Sequence, residues 1–238
     1  MPKLKLFCYI GSMRGNNSTE YNTIVKLLDT MKVDKYDIDI ITADNTDMKP
    51  CIGCCKCFET GHCSLDGIDQ MRSAKDKMKN ADIIIISSPV YLHHISGSTK
   101  TFLDRISYWA HTFHLIGKRA IICSSTATTG NEYVISYLKK AMSAFGCLIV
   151  GELAILQTKS DDEYKTDFNR IINSINESYR SPNDCKVTNF QHELYYSLKN
   201  TYSTTVGTYE SNYWNENNLF NYYSFEELLH EKLSIITQ

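Results

Sequence analysis

Four consecutive isoleucines, Ile83 to Ile86, constrain this chain more than any other feature. A β-branched run with no polar residue to spare for a wet face suits a central parallel strand covered by helices on both sides. The run predicts a third strand over Asp82 to Ser87. Four other apolar runs fit strands: Leu4 to Ile10, Tyr36 to Thr42 with Ile38, Ile40 and Ile41, Arg119 to Ser124, and Leu148 to Leu156. Helical stripes separate them. Thr19 to Met31 carries Ile24, Leu27, Leu28 and Met31. Gly67 to Asn80 turns Ile68, Met71, Ala74 and Met78 inward. Thr99 to His111 and Glu132 to Phe145 follow, the latter with Gly146 as a C-terminal stop, and a polar helix spans Asp161 to Tyr179. Strands alternating with helices predict an α/β fold: a doubly wound, five-stranded parallel sheet with right-handed crossovers. In strand order 2-1-3-4-5 the winding reverses between strands one and three, and ligands bind there, at the carboxyl ends.

The loops at that edge carry suitable chemistry. The first strand breaks at Gly11, a polar loop follows, and Ser18 and Thr19 open a helix. The unpaired N–H groups of a first helical turn, with the helix dipole behind them, favour an anion. Ser12, Asn17, Ser18 and Thr19 add donors and Arg14 adds a cation, which suits a phosphate monoester. The stretch is neither GxGxxG nor GxxxxGK[ST], which disfavours a dinucleotide pyrophosphate or a nucleoside triphosphate. After strand three, Ser88-Pro89-Val90-Tyr91-Leu92 is stiffened by proline and can offer fixed amides to the edge of a flat heterocycle. Each loop taken alone also reads as an ordinary connection. Together they predict one ligand held between them.

At this point the chain resembles a known family. Gly11-Ser12-x-Arg14…Ser18-Thr19, then Ser88-Pro89-Val90-Tyr91…Ser96-Gly97…Lys100-x-Phe102-x-Asp104-Arg105, resembles the NADPH-dependent FMN reductases of flavodoxin-like fold. Cys51-Ile-Gly-Cys54-x-x-Cys57…Gly61-x-Cys63 resembles the iron–sulfur flavoprotein branch of that group. The likeness covers about the first 155 residues. It implies that Ser12, Arg14, Asn17, Ser18 and Thr19 hold an FMN phosphate. Pro89, Val90, Tyr91, Leu92 and His93 would line the isoalloxazine, and Ser124 to Gly130, chiefly Ser125, Thr126 and Gly130, would touch its other side. Family members often carry proline where Met13 stands and a glycine-rich third loop where this chain has STATTG.

Nine cysteines are present, and five fall within thirteen residues: Cys51, Cys54, Cys55, Cys57 and Cys63. An odd total argues against a disulfide scaffold and for metal or redox chemistry. Cys51, Cys54, Cys57 and Cys63 offer four thiolates in one loop, as a [4Fe–4S] cluster requires, with Gly53 and Gly61 letting the backbone bend. Tetrahedral zinc accepts the same ligands, and unmetallated thiols are the third reading. Cys55 is surplus. His111 and His114 have a spacing that suits a metal pair, although Trp109 and Phe113 beside them favour packing.

The bulk numbers exclude other classes. At 238 residues, 42% hydrophobic and 22% charged, the chain has ordinary globular composition, and a net charge of −2 leaves no nucleic-acid footprint. No apolar run approaches the roughly 20 residues of a membrane span. The N-terminus runs directly into a strand with no cleavable signal, so a cytoplasmic location is expected. Residues 1–180 form the expected FMN-binding domain, with a cysteine-rich loop over 43–66. Residues 181–238 form an aromatic-rich extension, laid over the core or a partner subunit, in which only Phe225 to Ile236 has a clear helical stripe. The expected protein is an FMN-dependent oxidoreductase, a homodimer or homotetramer, passing electrons from NAD(P)H to a quinone, a flavin or a redox protein. An electron carrier reduced by ferredoxin and a non-catalytic FMN/thiol redox sensor are the alternatives.

Overall fold

The computed structural model describes residues 3–236. Its strands are β1 Leu4–Ile10, β2 Tyr36–Thr42, β3 Ile83–Pro89, β4 Arg119–Thr126 and β5 Leu148–Leu156. They form one sheet in the order β2-β1-β3-β4-β5, parallel throughout. The four isoleucines lie in β3, between β1 and β4, and each is fully buried. Side chains alternate across a strand. Ile83 and Ile85 therefore join Leu6, Cys8 and Ile121 on one face, while Ile84 and Ile86 join Phe7, Tyr9 and Ile122 on the other. Helices α1 Thr19–Thr30 and α6 Asp161–Arg180 cover the first face. Helices α3 Met71–Asn80, α4 Gly97–Asp104 and α5 Asn131–Ala144 cover the second. Burial of each isoleucine contributes about 1.5–3 kcal/mol, so a strand loaded on both faces is the best-anchored platform for the loops that leave it.

Three expectations need correction. The second long helix begins at Met71 rather than Gly67, and Ile68 is exposed rather than inward. The residues before Met71 are spent on turns: Ile68 N–H donates to Leu65 O, and Asp69 caps the Met71 N–H at 3.0 Å. The third helix stops at Asp104, because Arg105 turns into a buried ion-pair network, and the chain resumes as a 3-10 turn over Ser107–His111. The extension contains three helices rather than one: α7 Asn189–Thr204, α8 Tyr209–Glu216 and α9 Phe225–Ile236.

The extension packs on the chain's own core. Tyr195, Leu198, Tyr202, Trp214, Phe225 and Leu229 share one apolar cluster with Phe113, α1 and α6. The Trp214 indole N–H donates to His111 O at 2.8 Å, and Tyr195 OH lies 2.8 and 2.9 Å from the carbonyl oxygens of Leu219 and Tyr222. A further short helix, α2 Lys56–Thr60, interrupts the cysteine loop. Among the described residues, no helix is long and apolar enough to cross a membrane.

Candidate functional site

The loop after β1 and the loop after β3 meet at Gly11. Its N–H donates to Ser87 O at 3.1 Å, and its carbonyl accepts from Ser96 Oγ at 2.9 Å and Ser98 Oγ at 2.7 Å. A Cβ at this position would collide with Thr99 Oγ1, so only glycine allows the approach. Within the first loop, Ser12 and Ser18 are buried while Arg14 and Asn17 are exposed. Ser12 Oγ accepts the Arg14 N–H at 3.3 Å. Ser18 Oγ accepts the Tyr21 N–H at 3.1 Å and donates to Gly15 O at 2.7 Å. These two serines thus shape the loop and cap α1, while Arg14 and Asn17 are exposed and Thr19 is half-buried at the start of the helix.

The second loop meets the third. Pro89 extends β3 by pairing with Ser125, and the Val90 N–H donates to Ser125 O at 2.8 Å. β4 likewise continues through Thr126, so Ser124, Ser125 and Thr126 are strand-end residues rather than free loop. Tyr91 and His94 exchange backbone hydrogen bonds of 2.9 and 3.0 Å. Between them Leu92 and His93 are both left-handed, with φ of 49° and 60°. That is the signature of a type I′ turn built without glycine, a conformation that stores about 1–3 kcal/mol per residue and clusters at ligand clamps. Tyr91 is half exposed and Leu92 fully exposed, so both stand at the rim. The His93 ring lies 3.3 Å from Thr129 Oγ1 and stacks on Tyr133, and a Cβ on Gly130 would press on His93 and Val90 at 2.8 Å.

Beyond this contact a cavity of about 570 Å³ opens between the end of β4, the start of α5 and β5, lined by Thr126, Thr129, Asn131, Ile135, Lys139 and Glu152. It had no counterpart in the sequence reading, because it forms between elements rather than within one. Buried hydroxyls without partners, Ser87 Oγ and Ser124 Oγ, lie at the same carboxyl edge. The capped helix, the glycine contact and the strained rim fit a phosphorylated planar ligand such as FMN.

The cysteine loop is built differently. Cys51 and Cys54 are exposed; Cys57 and Cys63 are half-buried. Cys54 Sγ lies 3.3 Å from Ser64 Oγ, and that contact pulls its thiol below the ordinary range. Burial pushes the Cys57 thiol up, and neighbouring Cys63 and Cys51 add to the effect. Those three therefore sit within electrostatic reach of one another, with Cys54 turned to Ser64. Four thiols are the right donor chemistry for a cluster. Among the described residues, however, no group of three or more His, Cys, Asp or Glu side chains is gathered to hold a metal ion.

What anchors this loop is charge. Lys75 Nζ lies 2.8 Å from Asp66 Oδ2, and Arg105 pairs with Asp66 at 3.1 Å and with Asp69. Arg105 also donates to Lys49 O at 2.8 Å. Burial works against the Arg105 charge, but Asp69 and the neighbouring Cys63 more than offset it and hold the guanidinium firmly protonated. The sequence reading missed this network. One signal was available: Lys75 falls in the apolar stripe of Met71, Ala74 and Met78, where a charge needs a partner.

The His111 and His114 spacing serves packing. His114 stacks on Trp109 with ring centroids 4.9 Å apart, and burial lowers it to about 4. His111 Nδ1 lies 3.1 Å from Tyr202 OH and 3.5 Å from Glu210 Oε1.

Comparison with known proteins agrees with this geometry. Residues 4–161 match the family model of NADPH-dependent FMN reductases. An iron–sulfur flavoprotein of Methanocaldococcus jannaschii is 28% identical over 151 residues, 63% of this chain and 77% of the relative. One of Clostridioides difficile is 27% identical over 177 residues, 72% of this chain and 71% of the relative. Among solved structures, the apo form of an NADH:FMN oxidoreductase superposes with a TM-score of 0.56 at 21% identity, covering 72% of this chain and 88% of its own. RosB bound to 8-demethyl-8-formylriboflavin-5′-phosphate does so with a TM-score of 0.59 at 12% identity, covering 86% and 89%.

Proposed function

The chain belongs to the NADPH-dependent FMN reductase family, and from that premise we propose that it is an FMN-dependent oxidoreductase taking electrons from NAD(P)H and passing them to a small acceptor such as a quinone or flavin, or to a redox protein. The observation that carries this reading is the cross-bonding of the first and second loops at Gly11, which sets a phosphate cradle beside a strained backbone rim. FMN, when bound, supplies hydride and single-electron chemistry. The chain supplies position. The first turn of α1, with Arg14, Asn17 and Thr19, takes the phosphate, while Ser12 and Ser18 hold the loop in shape. Pro89, Val90 and the Tyr91–His94 turn present a fixed edge to the ring, Leu92 and His93 being held in one conformation by that turn. Ser125, Thr126 and Gly130 close the opposite side, and the adjacent cavity admits the electron donor or acceptor.

Absorbance of the purified protein tests the reading, with bands near roughly 375 and 450 nm and FMN recovered after denaturation. NAD(P)H consumption with a quinone supports the reductase. Bound FMN with reduction only by ferredoxin supports the carrier instead, and turnover with neither donor supports a sensor.

The four-cysteine block favours a second prosthetic group, and iron–sulfur flavoproteins are among the chain's relatives. In our reading Cys51, Cys54, Cys57 and Cys63 hold a [4Fe–4S] cluster that exchanges single electrons with the flavin. Iron and acid-labile sulfide measured after anaerobic purification test this. Cys54→Ser should lower both and Cys55→Ser should leave them near the wild-type ratio; an iron-free protein under these conditions overturns it. The exposed Met13, Ile52, Tyr91 and Leu92 fit burial against a second copy in a homodimer or homotetramer, which light scattering reads directly.

A further inference from the structure

Glu20 stands in the first turn of α1, where an acidic side chain ordinarily faces water and complements the helix dipole. Here it is 1% exposed. It is folded under the ends of the sheet, where the Ser87 and Ser125 hydroxyls are near enough to act on its carboxyl group but neither oxygen makes a well-formed hydrogen bond. No ion pair reaches it among the described residues. The groups facing it are Cys8 on β1, Ser87 on β3, and Cys123 and Ser125 on β4, with Tyr9 within electrostatic reach on the other side of the sheet. None is a cation. Ser87 Oγ, on the same face of the sheet as α1, also lacks a well-formed hydrogen bond.

A carboxylate buried without a counter-charge is strongly disfavoured, and such a group takes up a proton instead. Burial pushes Glu20 up to about 8, even with the Ser87 and Ser125 hydroxyls opposing the shift. A neutral carboxylic acid can donate as well as accept, which suits the Ser87 and Ser125 hydroxyls beside it. The same helix turn is the anion seat described above. An ionised Glu20 would set a negative charge beneath a phosphate dianion and compete for the same dipole, in surroundings that screen little.

We propose that Glu20 is a positioning residue of the flavin site: its neutral acid form completes the phosphate cradle, so that proton loss from Glu20 weakens retention of the phosphorylated flavin. This rests on the FMN reading and adds to it a residue outside the set that contacts the phosphate. Proton and phosphate are then linked reciprocally: each raises the protein's affinity for the other.

The test uses the full chain stripped of flavin. FMN and riboflavin are titrated by fluorescence quenching from pH 6 to pH 9.5, in wild type and in Glu20→Gln, which keeps the shape and removes the titration. The wild-type Kd for FMN should rise by about tenfold between pH 7 and 9.5, the scale of one pKa unit of coupling. Glu20→Gln should show less than about a third of that rise, and riboflavin, which lacks the phosphate, should show no such difference between the two proteins. Parallel FMN profiles for wild type and Glu20→Gln would overturn the proposal while leaving the flavin site intact. Failure of wild type to bind FMN at pH 7 would overturn the flavin reading and the proposal with it. Urea midpoints of the flavin-free proteins give a second readout. The advantage of Glu20→Gln over wild type should grow from pH 5 to pH 8; a constant difference overturns the buried-acid premise.

Discussion

Two loops leave the same edge of one sheet and are held by opposite means. The flavin loops are tied to each other by backbone and hydroxyl bonds at Gly11, Ser96, Ser98, Val90 and Ser125, with close glycine contacts and few charges. The cysteine loop is tied down from behind, by Asp66 and Asp69 on Lys75 and Arg105, while its front thiols face outward. Short, directional bonds between neighbouring loops fix the surface they share. A buried ion-pair network fixes only the base of a loop and leaves its tip to be ordered by what it binds. The first design suits a rigid planar ligand, the second a set of donors that must close around one.

The largest effect should come from breaking the charged anchor. Arg105→Met leaves Asp66 with Lys75 alone and Asp69 with no cation, and should cost about 3–5 kcal/mol in urea unfolding; a loss below about 1 kcal/mol would mean the loop is held mainly by its apolar contacts. Next is acid sensitivity on the same side. His114 sits near 6.5 when unfolded but about 4 when folded, because burial, then Lys79 and Lys75, disfavour its charge. The unfolded chain therefore binds the proton first, and stability present above pH 6.5 is lost as pH falls toward 4. His114→Phe should remove on the order of 2–3 kcal/mol of that acid dependence, read from urea midpoints at pH 7 and pH 4.5. The flavin loops should respond more mildly. Ser96→Ala removes the cap of α4 and a tie to Gly11, for about 1–2 kcal/mol and weaker FMN retention. Smallest, and opposite in sign, Leu92→Gly should stabilise the protein by up to about 1 kcal/mol by relieving a left-handed residue. If it also weakens FMN binding, the strain serves the ligand.

The sheet was legible because β-branched runs admit few alternatives, and Ile83–Ile86 placed β3 at its centre. The approach of the first two loops followed from strand order alone. Helix starts were harder: Ile68 keeps the helical period, yet Asp69 spends the backbone on a turn. α7 was missed although Tyr195, Leu198 and Tyr202 keep a helical spacing and Thr188-x-x-Gln191 forms a capping box, because packing rather than propensity makes such a polar, aromatic segment helical. The Asp66–Arg105 pair spans 39 residues, and no local pattern announces a contact of that range. Glu20 stands where a first-turn acid is ordinary, and only the fold shows that it is buried.

Tyr209 of the extension lies against Gly61, so closely that any side chain there would strike its ring, and Phe58 meets His111, whose carbonyl receives Trp214. The cysteine loop and the final three helices are therefore fitted to each other. Grafting a relative's cysteine loop onto this chain, or trimming everything after α6, would separate two surfaces shaped as one. Inheritance should show the same bond: the residue at position 61 and the ring at 209 are expected to change together or not at all.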